Sequence, residues 1–118
     1  PIYLRARADA RRLAWDEGLR PTLTHHQLDA LVAPTTGTAW PTDLLHGDPS
    51  GFSSHSIAAV AGTPSLTVPM GHHRGLPLGL TFLGAPGSEA ELLALGHAFE
   101  QATHARQPPT FRPDLASP

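Results

Sequence analysis

The sequence predicts an α/β segment with a helix near each end and short strands, including a hairpin, between them. A two-residue alternation over residues 65–68 and again over 78–83 is typical of strands. Apolar residues spaced by three or four positions in 2–17 and 88–102 are typical of helices that pack on one side. We expect the hairpin and the second helix to enclose four apolar side chains: Leu66, Val68, Leu80 and Phe82.

Composition and charge exclude several classes of protein. The 118 residues fit one domain, and a hydrophobic content of 40% allows a core of modest size. With only 8 Lys and Arg residues and a net charge of −2, the chain lacks the basic face that nucleic-acid binding needs. It has no apolar run near the ~20 residues that span a bilayer. We therefore expect a soluble segment with no membrane partner, cytoplasmic if any compartment is assigned.

The first 34 residues predict one helix and one strand. Ala, Leu and Arg dominate residues 2–17, and Gly18 is placed where a glycine often ends a helix. Pro21 then ends this segment. Residues 28–34 form a brief apolar run stopped by a proline, which predicts a short buried strand.

The middle of the chain predicts a long loop followed by a short helix. Residues 35–51 have no sustained period and are punctuated by glycines and prolines. Loops of this length are often functional, and Trp40 among polar residues indicates that this one is packed. Ser53 or Ser54 is then placed to cap a helix that ends at Gly62 and leads into the hairpin.

The hairpin is predicted to have a polar connector over residues 71–75, with a glycine at each end that can adopt a positive φ. Prolines lack the N–H that pairs strands, so they should lie at strand ends or on an unpaired edge. The hairpin should therefore be short, because three prolines fall in or beside it: Pro64, Pro69 and Pro77.

The second helix is predicted to begin with a capping box at residues 88–91 (SEAE), in which a serine hydroxyl and a glutamate carboxylate each accept a backbone N–H. It should be closed by Pro108 and Pro109. Its apolar stripe is Leu92, Leu95, Phe99 and Ala102.

Residue types alone assign no chemistry to the chain. The Gly-x-Ser-x-Gly turn of many serine hydrolases is absent, and helix capping accounts for the serines near His55. Eight histidines, including the pairs at 25–26 and 72–73, raise the possibility of a metal-binding module. Adjacent histidines usually point apart, however, and none lies in a His-x-x-x-His pair with a helical glutamate, so no metal ligand is assigned.

Longer stretches of the sequence are more informative. Residues 28–35 (LDALVAPT), 61–69 (AGTPSLTVP), 75–80 (GLPLGL) and 99–103 (FEQAT) resemble, in order and spacing, the C-terminal third of amidase signature enzymes. Within that family, further stretches resemble the peptide-amidase-like branch. These are residues 39–43 (AWPTD), 47–48 (GD) and 58–62 (AAVAG), with Ala59 where many other branches have Asn.

The resemblance implies a mixed-sheet amidase signature fold and hydrolysis of carboxamides, with C-terminal peptide amides as one candidate substrate class. The family mechanism uses a serine, a second serine on a cis peptide bond, and a lysine. In the family these residues precede the region matched here, and this chain has no lysine at all. We therefore expect residues 1–118 to be the C-terminal segment of an amidase domain, with no catalytic residue and no cofactor of its own. Its partners would be an amide substrate and the missing N-terminal half, and alone it could self-associate.

Trp40 and Asp43 are the candidate substrate-binding residues, since they lie in the conspicuous loop. A tryptophan that anchors the loop and an aspartate that forms a turn are the structural alternatives. Two other functions stay open at this point. One is a non-catalytic interaction domain from a split or decayed gene, and the other is a histidine-based metal module.

Overall fold

The computed structural model describes residues 1–48, 51–109 and 111. The chain begins with a long helix made of α1 (Ile2–Arg11), a π-helical stretch (Arg12–Leu19) and α2 (Arg20–His26). The remaining elements, in order, are β1 (Leu31–Pro34), α3 (His55–Ala61), β2 (Ser65–His73), β3 (Leu76–Leu83) and α4 (Glu89–Thr103). The α/β class, the hairpin and the two terminal helices are thus confirmed.

The N-terminal helix is longer than predicted, because neither Gly18 nor Pro21 ends it. In the π-helical stretch the backbone N–H of Arg20 donates to the carbonyl of Trp15, five residues back rather than four. Pro21 lies in the first turn of α2, directly after this stretch. The helix ends instead at Gln27, which adopts the left-handed conformation (φ 53°, ψ 48°).

The three strands form an antiparallel sheet in the order β1-β3-β2. The predicted strand within 28–34 is present as β1, but it is not buried throughout. Val32 lies opposite Phe82 and is 58% exposed, because α4 packs chiefly on β2 and β3 and leaves β1 uncovered.

The hairpin is longer than predicted. Its connector is the two-residue turn Arg74-Gly75, with φ of 52° and 79°, the positive values of a type I′ turn. Gly71, predicted in the connector, lies within β2 at a bulge and has a φ of 152°. Pro77 has no N–H to donate to a neighbouring strand. It is tolerated within β3 because it lies opposite His72, outside the part of β3 that pairs with β1.

Helices α3 and α4 begin beside the predicted serines, but the serine side chains do not cap them. Ser54 precedes α3, and Gly62 ends it in the left-handed conformation. The Ser54 hydroxyl donates to the carbonyl of Thr35 instead of capping. Likewise Ser88 precedes α4 and donates to the carbonyl of Ala85 at 2.8 Å, so the predicted capping box is wrong.

The predicted packing of the hairpin against the C-terminal helix is confirmed. Val68, Phe82 and Leu92 form a buried cluster, and the partly buried side chains against it include Leu66, Leu80, Leu95 and Phe99. Ala102, predicted in the same stripe, is exposed. Gly96 brings the helix close to the sheet, since a Cβ there would lie 2.5 Å from Leu66 Cδ2. A second cluster joins the long helix, α3 and the end of β3 through Leu19, Ala58, Ala61 and Leu83.

Replacing Phe82 by alanine should destabilise the chain, because the ring is 7% exposed and packs edge-on against Phe99 at 6.2 Å between centroids. Truncation of an enclosed phenylalanine costs about 3–5 kcal/mol. Urea unfolding followed by circular dichroism gives the change in the free energy of unfolding.

Leu93→Ala is the matched control on the facing helix, because Leu93 is 60% exposed although its neighbour Leu92 is buried. It should change the free energy of unfolding by about 0.5 kcal/mol or less. Equal losses in the two variants would contradict the described packing.

Candidate functional site

The loop between β1 and α3 leaves the sheet and returns to it at one place. Thr36 and Ser53 form an isolated antiparallel bridge, and the Ser54 N–H donates to the Thr35 carbonyl at 3.0 Å. The two ends of the loop are therefore joined at the edge of the sheet. Its outer part, residues 40–48, is exposed and surrounds an open concavity of about 790 Å³.

Asp43 builds the turn at the tip of this loop. Its Oδ1 accepts the backbone N–H groups of Leu45 at 2.9 Å and His46 at 3.0 Å, and its Oδ2 lies 2.9 Å from His46 Nδ1. These hydrogen bonds, led by the one from the His46 N–H, favour the ionised carboxylate and lower the pKa of Asp43. The carboxylate is thus already used within the loop, as the turn-forming alternative expects.

Trp40 is not packed as the sequence predicted. It is 47% exposed, and its contact with the loop is a hydrogen bond from Nε1 to Asp48 Oδ1 at 3.0 Å. This bond fixes the polar edge of the indole while much of its apolar surface stays open to solvent. Trp40 and Asp43 line the same concavity, so the structure brings the two candidate residues together.

The serines around His55 do not form a nucleophile with its base. Ser53 Oγ lies 2.9 Å from His55 Nδ1 and 3.1 Å from Nε2, with Ser56 Oγ at 3.1 Å. One oxygen cannot lie along the hydrogen-bonding directions of both ring nitrogens, because these directions diverge. The contacts belong to the exposed start of α3 rather than to an aligned Ser-His pair.

The described residues bring together no group of three or more histidine, aspartate or glutamate side chains that could hold a metal ion. The histidine pairs illustrate why: His25 and His26 end a helix, whereas His72 and His73 lie on an exposed strand end. In the same part of the chain, no helix has both the length and the apolar character needed to cross a bilayer.

Sequence reasoning missed the hydroxyl groups that hold the base of the loop. Thr35, Thr67 and Thr81 meet on the sheet face opposite α4, with Oγ1 atoms 2.7 and 2.9 Å apart in the two contacts. The available signal was the alternation itself, since Thr67 and Thr81 occupy the strand positions between the apolar ones.

A sequence profile described as Amidase matches residues 2–93. The chain belongs to the amidase signature family. This confirms the resemblance found in the sequence, and the match covers most of the chain.

Individual amidase relatives agree with this membership. A putative amidase of Arthroderma benhamiae is 38% identical over an alignment 105 residues long, which covers 75% of this chain and 15% of the relative. Native peptide amidase from Stenotrophomonas maltophilia is 58% identical with a TM-score of 0.84, covering 94% of this chain and 22% of that one. A peptide amidase in complex with the competitive inhibitor chymostatin has a TM-score of 0.89 at 58% identity, covering 94% and 23%.

This amidase chain therefore spans about a fifth of the length of these relatives. Over that length the similarity to peptide amidase extends to the arrangement of the helices and strands, since the TM-score is high across nearly the whole chain.

The turn built by Asp43 should lose stability at low pH. Because the pKa of Asp43 in the folded chain is lowered, the ionised carboxylate stabilises the turn above the unfolded-state pKa, about 3.9. This stabilisation should disappear as the pH falls through the lower, folded-state value. Carbon NMR of the Asp43 carboxyl should give a midpoint below that of an unstructured aspartate.

In Asp43→Asn the backbone amides of Leu45 and His46 should lose the chemical-shift change that accompanies this titration. A midpoint for Asp43 at or above the unstructured value would show that the carboxylate is not held by these N–H groups.

Proposed function

We propose that this chain is the C-terminal segment of an amide hydrolase of the peptide amidase type, whose catalytic residues lie in the part of the amidase domain that precedes it. The observation that carries the proposal is the similarity to peptide amidase, 58% identical with TM-scores of 0.84 to 0.89 over 94% of this chain. The absence of lysine from this chain supports the placement of the catalytic residues outside it, because the family mechanism needs a lysine as proton acceptor.

In the complete enzyme a serine attacks the amide carbonyl, and the serine on the cis peptide bond relays its proton to the lysine. Backbone N–H groups stabilise the oxyanion, and the proton returns to the leaving amine. Arginine cannot replace the lysine, because its pKa is too high for it to give up a proton near neutral pH. The eight arginines of this chain, five of them in its first 20 residues, therefore supply no substitute base.

The role of this chain is to extend the sheet and to supply one wall of the substrate pocket. Trp40 offers an apolar surface whose edge is already fixed by Asp48, which suits contact with a peptide side chain. Asp43 acts through the turn that it builds, in which its Oδ2 lies 2.9 Å from His46 Nδ1. Chymostatin is bound by the related peptide amidase as a competitive inhibitor, which supports a peptide amide as substrate.

A chimaera tests this proposal directly. We expect the 118-residue chain alone to hydrolyse neither simple carboxamides nor C-terminal peptide amides above background. When it replaces the matching segment of the S. maltophilia peptide amidase, hydrolysis of peptide amides should be retained. Ammonia release measured over a set of peptide amides with different terminal residues gives the activity and the preference.

Trp40→Ala and Asp43→Ala in the chimaera should change the preference among these substrates more than they change stability. Trp15→Ala is the matched control for Trp40, because Trp15 packs against the core cluster of α3 rather than lining the loop. It should lower stability and leave the preference unchanged. Turnover by the chain alone, surviving a chelator and removal of contaminants, would contradict the assignment of the catalytic residues elsewhere.

The chain alone should also self-associate, because an apolar groove between the long helix and α3 is open. The groove has a volume of about 640 Å³, and Leu13, Ile57 and Val60 on its walls are 55%, 44% and 48% exposed. Exposed apolar patches and unpaired strand edges both promote association. Sedimentation velocity should show a mass that rises with concentration.

Leu13→Glu should shift this equilibrium toward the monomer if the groove is the contact, whereas Leu93→Glu on α4 is the control of similar exposure. If neither variant changes the mass, association proceeds through the strand edges. A compact monomer at high concentration would contradict the prediction.

A further inference from the structure

Thr81 is a buried polar residue at the centre of the sheet. It is 0% exposed, and its Oγ1 lies 2.7 Å from Thr35 Oγ1 and 2.9 Å from Thr67 Oγ1. Burial of a hydroxyl is unfavourable unless it is hydrogen-bonded, so these two contacts account for its presence among apolar neighbours. A valine of the same shape would fill the space, which indicates that the hydroxyl itself has a role.

Thr35 is the residue through which Thr81 reaches the loop. Its N–H donates to the carbonyl of Gly79 at 2.8 Å, and its carbonyl accepts from Ser54 N at 3.0 Å and Ser54 Oγ at 3.3 Å. All three polar groups of Thr35 are therefore used. Ser54 is 1% exposed, so both ends of the loop converge on one buried set of hydrogen bonds.

Gly79 is required for this arrangement. A Cβ at position 79 would lie 2.6 Å from Thr35 Oγ1 and 2.8 Å from Thr67 Cγ2, too close for either side chain to keep its place. The missing side chain leaves the space in which the three hydroxyl groups meet. The sequence thus combines three threonines and one glycine at a single point on the sheet.

The loop itself makes little contact with the rest of the described structure. Every residue from 40 to 48 is exposed, and its hydrogen bonds at Trp40 and Asp43 join loop residues to one another. These internal bonds give the loop a shape but do not fix its orientation relative to the sheet. The orientation depends on the base, where Thr35 and Ser54 are held.

We propose that Thr81 is a positioning residue: through its hydrogen bonds to Thr35 and Thr67 it fixes the orientation, relative to the sheet, of the loop that carries Trp40 and Asp43. If the function proposed above holds, this position also determines affinity for the amide substrate. Thr81 is too deeply buried to touch the substrate itself.

The test uses the chimaeric peptide amidase with Thr81→Val, which keeps the side-chain shape and removes both hydrogen bonds. Amide hydrogen exchange at the base of the loop, at the Thr35 and Ser54 N–H groups, should accelerate roughly 5- to 100-fold, the range expected for two lost hydrogen bonds of ordinary strength. Exchange in β2 and β3 should stay within about threefold. The KM for a peptide amide should rise by a comparable factor while kcat changes less than about threefold.

Thr81→Ser retains the hydroxyl and should restore both the exchange rates and the KM. Thr35→Val removes the Thr35–Thr81 hydrogen bond from the loop side and leaves the Thr67–Thr81 bond intact, so it should accelerate exchange at the base of the loop by a factor at the lower end of this range. Thr103→Val is the control, because it removes one hydrogen bond at the exposed end of α4, to the carbonyl of Phe99.

Unchanged loop exchange in Thr81→Val would overturn the proposal, and so would an acceleration spread equally over the loop and the sheet. Failure of Thr81→Ser to restore slow exchange would overturn it as well. If the unmodified chimaera does not hydrolyse amides, the proposed function fails, but the exchange pattern still decides whether Thr81 positions the loop.

Discussion

Strand β3 is paired along both edges, with β1 on one side and β2 on the other, and the remaining elements take their positions from it. Its two faces are chemically different. Leu80 and Phe82 point toward α4 and, together with Leu66 and Val68 of β2, form the apolar contact that holds this helix. Thr81 points the other way and holds the base of the loop, while Leu83 joins the cluster beneath α3 and the long helix. One short stretch of β3 therefore connects the core, the loop and the helical layer.

Local periodicity was sufficient to predict those strands and helices whose sequence follows a single apolar spacing. The alternation in β2 and β3 and the apolar stripe of α4 follow from the two- and three-to-four-residue spacings, and the packing between them is confirmed. The errors occur where two rules compete. Gly18 and Pro21 are helix-ending residues, yet Gly18 lies inside the π-helical stretch and Pro21 in the first turn of α2, and the helix continues through both. Gly71 looked like part of a turn but serves a bulge within β2.

The candidate site was predictable only in part. The loop and its two candidates, Trp40 and Asp43, could be named from the sequence, but the exposure of Trp40 could not, because burial depends on what packs beside the loop. The threonine contacts were missed for a related reason. Thr35 and Thr67 lie 46 and 14 positions from Thr81, and they meet only once the register of three strands is known. The same dependence on register explains why no structural role could be assigned to Gly79 from the sequence.

The π-helical stretch has a consequence for the face that α1 presents. Side chains on an α-helix advance by about 100° per residue, since a turn holds 3.6 residues, and the wider π-helical turn advances them by less. The rotation accumulated over Arg12–Leu19 therefore sets the angle of α1 about its own axis relative to α2. Because α1 and the π-helical stretch both contact α3, this angle decides which side of α1 meets α3 and which side carries the exposed Ile2, Tyr3 and Leu4. Because each π-helical turn takes in more residues than an α-helical turn, deletion of one residue in this stretch can be absorbed by a return to four-residue hydrogen bonding, with the same side of α1 kept against α3.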